Sequence, residues 1–150
     1  MEIQPDFRDL LALLNEHGVE YLIVGAYALA FHGAPRFTGD FDILVRPDRE
    51  NARRVIAALA AFGFEFPNLT PDDLQSRDKV IQLGVPPVRI DLITSITGVS
   101  WEEADAHKEA GMLGDIRANY LGRRQYIANK RATGRKKDLA DLEALGEEGI

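Results

Sequence analysis

Apolar side chains recur at Phe7, Leu10, Leu11, Leu13 and Leu14, the spacing of one helix face. Residues 6–17 are therefore expected to be helical, with Asp6 as N-cap and Gly18 as the stop. Tyr21 to Val24 is a short apolar run ending at a glycine, the signature of a buried strand. Ala26 to Phe31, rich in helix formers, follows directly and ends at Gly33-Ala34-Pro35. Phe41 to Val45 reads as a second strand. Pro47 and Asp48 then open a helix through about Phe62, with Val55, Ile56, Leu59 and Phe62 on one face and Gly63 at its end. Thr70-Pro71-Asp72-Asp73 marks another, short helix start. Val80–Leu83 and Val88–Ile93 read as a hairpin around Gly84-Val85-Pro86-Pro87. Ser100-Trp101-Glu102-Glu103 fits a capping box opening a helix to about Glu109, and Met112–Ile116 suggests a further short strand. Leu121–Ala132 and Lys137–Leu145 read as closing helices broken at Thr133-Gly134. The mixture predicts an α+β (mixed α/β) chain forming one domain over residues 1–150, with a helical C-terminal part at about 121–145.

Composition narrows the chemistry. The chain has no cysteine, which excludes a disulfide scaffold, a thiolate zinc site and a cysteine nucleophile. The longest apolar run, Tyr21 to Phe31, is 11 residues and includes Gly25, against about 20 for a membrane span. The N-terminal residues show no basic and apolar leader pattern, so a cytoplasmic protein without a membrane partner is expected. The net charge of −6 is unevenly spread. Arg117, Arg123, Arg124, Lys130, Arg131, Arg135, Lys136 and Lys137 lie in one stretch without a single acidic residue. Such a segment fits either a phosphate-bearing partner or a solvated helix face.

Candidate chemistry lies in Asp40-Phe41-Asp42-Ile43 and Arg89-Ile90-Asp91-Leu92. Side chains alternate along a strand, so Asp40 and Asp42 leave one face while Phe41, Ile43 and Val45 leave the other. Asp91 sits inside a strongly apolar strand, where a lone carboxylate is costly unless paired or bound to a cation. If the two strands are neighbours, three carboxylates converge and raise one another's pKa. A divalent cation relieves that repulsion, and Mg²⁺ prefers oxygen ligands and shares sites with phosphates. The competing reading is a strand end with solvated aspartates. Gly25 at a strand-to-helix junction lets backbone approach a ligand closely; it fits a packing glycine equally. The third ligand position of a calcium loop is occupied by Leu44, and neither phosphate-binding glycine motif occurs.

Together these motifs resemble the DNA polymerase β-like nucleotidyltransferase superfamily. Gly25-Ala26, then Asp40-Phe41-Asp42-Ile43, then Asp91 follow its order, and the likeness covers about residues 20–145. Ala28-Leu29-Ala30-Phe31-His32-Gly33, Pro35-Arg36, Thr38 and the stretch from Lys130 to Leu142 are similar to minimal nucleotidyltransferases, including AbiEii-like enzymes of toxin–antitoxin pairs. One departure is Ala26, where the family has Gly or Ser. The resemblance implies a short mixed sheet flanked by helices and transfer of a nucleoside monophosphate from an NTP to an acceptor hydroxyl. It implies Asp40, Asp42 and Asp91 as catalytic metal ligands for two Mg²⁺ ions, with Mn²⁺ as a substitute. Gly25, Ala26, Arg36, Thr38 and Lys130 would contact the nucleotide. The acceptor stays open between RNA, protein and a small molecule, as do a cognate toxin or antitoxin and a homo-oligomer. His32 reads as structural, and Lys137 and Asp138 as anchors of the last helix, with Lys137 facing the ligand as its other reading. A non-catalytic nucleotide-binding or toxin-binding module is the alternative.

Overall fold

A computed structural model describes residues 4–34, 40–85 and 88–146. Among the described residues six α-helices, α1 (Pro5–Glu16), α2 (Gly25–Phe31), α3 (Arg49–Phe62), α4 (Trp101–Ala106), α5 (Arg123–Thr133) and α6 (Lys136–Ala144), and a short 3-10 turn at Asp73–Gln75 accompany six strands. The strands are β1 (Tyr21–Val24), β2 (Asp40–Val45), β3 (Val80–Val85), β4 (Val88–Ile93), β5 (Glu109–Leu113) and β6 (Ile116–Tyr120). They form one mixed sheet in the order β3-β4-β2-β1-β6-β5. β2 runs parallel to β4 and β1 parallel to β6, while the other neighbours are antiparallel. The expected mixed α+β architecture is therefore present.

The alternation in β2 decides which face is core. Phe41, Ile43 and Val45 are fully buried. Phe41 stacks on Phe7 of α1 at 4.8 Å and meets Tyr27 of α2 edge-on at 5.2 Å. This aromatic cluster fixes α1 and α2 over the sheet; such pairs add roughly 0.5–1.5 kcal/mol beyond their buried area. Buried Asn51 at the start of α3 accepts from the Glu20 N–H at 2.7 Å and donates to the carbonyls of Glu20 and Arg46. It thereby ties the entry of β1 to the exit of β2. Asp48 caps α3 by accepting from the Asn51 N–H, and Ser100 caps α4 by accepting from the Glu103 N–H, as their spacing predicts.

Several boundaries differ from expectation. Asp6 is not the N-cap of α1: Pro5 occupies the first turn and Gln4 precedes it, and proline at that position needs no cap for an N–H it lacks. α4 stops at Ala106, and Glu109 instead opens β5. The single strand expected at Met112–Ile116 straddles the turn of the β5–β6 hairpin. β5 is largely exposed, so no apolar alternation marks it. Pairing of β3 with β4 continues to Val85↔Val88, leaving only Pro86 and Pro87, outside the described residues, as the connection. Leu121 extends the sheet by donating to the Ile23 carbonyl, so α5 begins only at Arg123. Among the described residues, no helix is long and apolar enough to cross a membrane.

Candidate active site

Parallel pairing of β2 with β4 sets Asp42 opposite Asp91 and Asp40 opposite Arg89. Residues paired in this way share a face, and alternation puts Asp40 and Asp42 together. Asp40, Asp42, Arg89 and Asp91 thus project from one side of two adjacent strands, opposite the buried Phe41, Ile43 and Leu92. The two strands are neighbours, which is the condition the sequence set for the carboxylates to converge.

The cluster is electrostatically uneven. Burial pushes the Asp42 carboxyl up to about 6, and the nearby Asp91 and Asp40 charges push in the same direction. The Lys130 and Lys137 ammonium groups act against that rise without cancelling it. Asp91 is only 9% exposed. Its Oδ2 meets the Arg89 guanidinium at 3.1 Å, while its Oδ1 is buried with no hydrogen-bond partner among the described residues. The same Arg89 Nη2 donates to Asp40 Oδ2 at 3.3 Å.

Gly25 explains how β1 approaches this cluster. It begins α2 with φ +65°, a conformation disfavoured by a Cβ. A methyl group there would run into Asp42 Oδ2, with the Asp42 Cβ and Cγ each 3.2 Å away. The glycine backbone is in effect the floor beneath the carboxylate. Ala26 beside it is buried, at 6% exposure.

α5 and α6 bring the cations. Lys130 is buried, with its Nζ 3.5 Å from Asp138 Oδ1 and 5.4 Å from the Tyr126 ring centroid. Asp138 is wholly buried at the first turn of α6. It accepts from Thr133 Oγ1 at 2.7 Å, from the Arg135 backbone N–H at 3.2 Å and from Arg135 Nε at 2.8 Å. Burial alone would raise this carboxyl, but the Arg135 and Thr133 hydrogen bonds and the Lys130 charge hold it well below the usual range. The expectation that Asp138 anchors the last helix is met. Lys137, read at first only as an anchor or a ligand contact, also reaches Asp42 electrostatically. His32 is structural: its Nε2 lies 2.7 Å from the Leu121 carbonyl oxygen, fastening α2 to the end of β6. Arg36 and Thr38 lie outside the described residues.

The donor set suits a hard divalent cation in its chemistry: it is all oxygen, and one buried carboxylate oxygen on Asp91 has no partner among the described residues. Among the described residues, however, no group of three His, Cys, Asp or Glu side chains already has the arrangement of a metal cage. Arg89 stands between Asp40 and Asp91 instead. No role for Arg89 was legible from composition or motif. The available signal was alternation, because Arg89 is two residues before Asp91 and must share its face.

Solved structures that match this chain include two that align with nearly its whole length. A candidate nucleotidyltransferase from Thermotoga maritima aligns with TM-score 0.59 over 98% of this chain and 97% of its own, at 15% identity. The lincosamide antibiotic adenylyltransferase LnuA, determined with lincomycin bound, aligns with TM-score 0.57 over 97% of each chain, at 12% identity. The chain has the nucleotidyltransferase fold. No family model and no curated protein sequence matches it, so the likeness is one of architecture. Within this nucleotidyltransferase fold, β2 and β4 carry the acidic cluster, β1 supplies Gly25, and α5 and α6 supply Lys130 and Lys137.

Proposed function

We propose that the protein is a Mg²⁺-dependent nucleotidyltransferase. It would transfer a nucleoside monophosphate from an NTP to an acceptor hydroxyl. The pairing of Asp42 with Asp91, with Asp40 on the same face, is the observation that carries this reading. Fold likeness to two structures with nucleotidyltransferase names supports it.

Asp40, Asp42 and Asp91 are the residues that would hold the metal, either as one ion or as a pair. When bound, the metal supplies charge neutralisation at the transferring phosphoryl group and at the leaving oxygen. Asp91 orients the acceptor hydroxyl and accepts its proton. The acceptor oxygen forms a bond to the α-phosphorus as the bond to the β-phosphate oxygen breaks, and pyrophosphate leaves. Gly25 and Ala26 line the approach to the carboxylates. Lys130 and Lys137 offset the negative charge there, and Arg36 and Thr38, outside the described residues, are triphosphate contacts on the sequence resemblance alone. Catalysis of this kind is mainly positioning and electrostatics.

The acceptor is a hydroxyl of RNA, a protein or a small molecule; the lincomycin bound to the structural neighbour LnuA makes a small molecule worth including. A place in a toxin–antitoxin pair belongs to the same proposal. The test is incubation with each α-labelled NTP, Mg²⁺, and RNA, protein or small-molecule acceptors in turn. Label appearing on one acceptor, with stoichiometric pyrophosphate and no transfer in EDTA, is expected. NTP binding without transfer or pyrophosphate across all acceptors would overturn the enzyme in favour of a nucleotide-binding module.

Gly25 gives a local check. Gly25→Ala forces a Cβ into Asp42 at a positive φ, which costs roughly 1–2 kcal/mol in backbone strain alone. Transfer should fall by about a hundredfold, because displacing a reacting group by an ångström costs about that much. Full activity in this variant would remove Asp42 from the reacting centre.

A further inference from the structure

Arg89 is bound in an unusual way for a stabilising arginine. Its side chain is 28% exposed, and one nitrogen, Nη2, serves two acids: Asp40 at 3.3 Å and Asp91 at 3.1 Å. A guanidinium optimised for a carboxylate presents two parallel N–H groups to it. Here the Arg89 Nε and the Asp91 Oδ1 are both buried, and neither has a partner among the described residues. The pair is thus charge-matched but geometrically unfinished, and a better ligand for the Asp91 carboxylate has an oxygen ready to receive it.

We propose that Arg89 is an internal counter-ion that competes with a divalent cation for Asp40 and Asp91. It holds the two strand ends together against carboxylate repulsion and gives up the carboxylates when the cation binds. Arg89 is then a positioning residue, not a metal ligand. The inference rests on the metal reading of the preceding subsection. The neighbouring cations, Lys130 and Lys137, act on Asp42, whereas Arg89 contacts Asp40 and Asp91 directly. Of these three cations, Arg89 is the one whose side chain meets both carboxylates that a cation would need to free.

The test titrates Mn²⁺ into purified full-length protein without nucleotide, following free Mn²⁺ by electron paramagnetic resonance. Melting curves are recorded in EDTA and in Mn²⁺. Arg89→Gln removes a positive charge next to the cation site and is expected to bind Mn²⁺ about tenfold more tightly. Arg89→Lys keeps a charge on a shorter side chain, which sets it farther from the two carboxylates, and is expected to bind about threefold more tightly. In EDTA, Arg89→Gln should melt below the wild type, and its gain on adding Mn²⁺ should exceed the wild-type gain. A merely structural arginine would lower both melting curves equally and leave Mn²⁺ affinity unchanged, which overturns the inference. Weaker Mn²⁺ binding in the variants overturns it too, because Arg89 would then be assisting the metal site. If only Arg89→Lys folds, its affinity relative to the wild type decides the matter. Wild-type protein that binds no Mn²⁺ sinks the metal reading and the inference with it. Equal binding by wild type and variants sinks the inference alone.

Discussion

Asp42→Asn is expected to stabilise the metal-free protein at pH 7.5 while lowering nucleotide transfer by about a thousandfold, or about 4 kcal/mol of transition-state stabilisation. The loss follows from removing a carboxylate that holds the catalytic cation, a contribution of several kcal/mol. The gain follows from the raised Asp42 pKa. The folded-state value of about 6 exceeds the ordinary 3.8 of an unfolded chain. Between those values the folded protein binds more protons than the unfolded one, so stability declines as pH rises from about 4 to about 6 and stays low above. Each unit is worth about 1.36 kcal/mol, giving a cost of about 2–3 kcal/mol at neutral pH.

The amide introduced by Asp42→Asn carries no charge, so this variant should lack that slope. For a chain of this length the difference corresponds to a rise in Tm of roughly 5–10 °C at pH 7.5. Near pH 4, where the wild-type carboxyl is protonated, the two melting temperatures should converge. Adding Mg²⁺ at pH 7.5 should stabilise the wild type and leave the variant unmoved. Melting curves from pH 4 to 8 in EDTA and in Mg²⁺ check each part. Parallel pH profiles for the two proteins would show that Asp42 is not held in the charged, crowded setting described above.

That prediction shows which parts of the site could be read in advance. The carboxylates were legible because strand periodicity is strict: Asp40 and Asp42 two apart must share a face, and Asp91 inside Val88–Ile93 had no cheap solvated alternative. What periodicity could not supply was register. The pairing Asp42↔Asp91, and with it Asp40↔Arg89, depends on β2 and β4 being parallel neighbours although α3 and β3 separate them in the chain. Arg89 was visible as a residue but not as a partner, because its ion pairs exist only across that register. The β5–β6 hairpin was blurred for another reason. β5 is exposed along most of its length and closes one sheet edge, so burial imposes no alternation on it. Helix α3, by contrast, carried both its cap and its stop in the chain, and Asp48 and Gly63 flank it as expected. The α5–α6 pair was legible as two helices, whereas the buried network joining them was not.

That network is the second place where one substitution should have a large effect. Asp138→Ala is expected to destabilise the protein by about 3–5 kcal/mol, the usual cost of removing one partner from a buried ion pair. The corresponding fall in Tm is roughly 10 °C or more. Asp138 is fully buried and joins Thr133, Arg135 and Lys130, so its loss unfastens α6 from α5 and leaves the Lys130 ammonium buried without that anion. The pH dependence runs opposite to that of Asp42. A carboxyl held below its ordinary value contributes stability that is complete above about pH 4 and is lost as pH falls below it. Wild-type protein should therefore show an acid limb below pH 4 that Asp138→Ala lacks. Lys130→Met separates structure from catalysis. Combined with Asp138→Ala it should recover part of the lost stability, since no buried charge is then stranded. It should not recover transfer, because Lys130 also offsets the negative charge around Asp42. Thermal melts of the two single variants and the double variant give the coupling directly, and strictly additive losses would mean that the 3.5 Å contact between Lys130 and Asp138 contributes nothing.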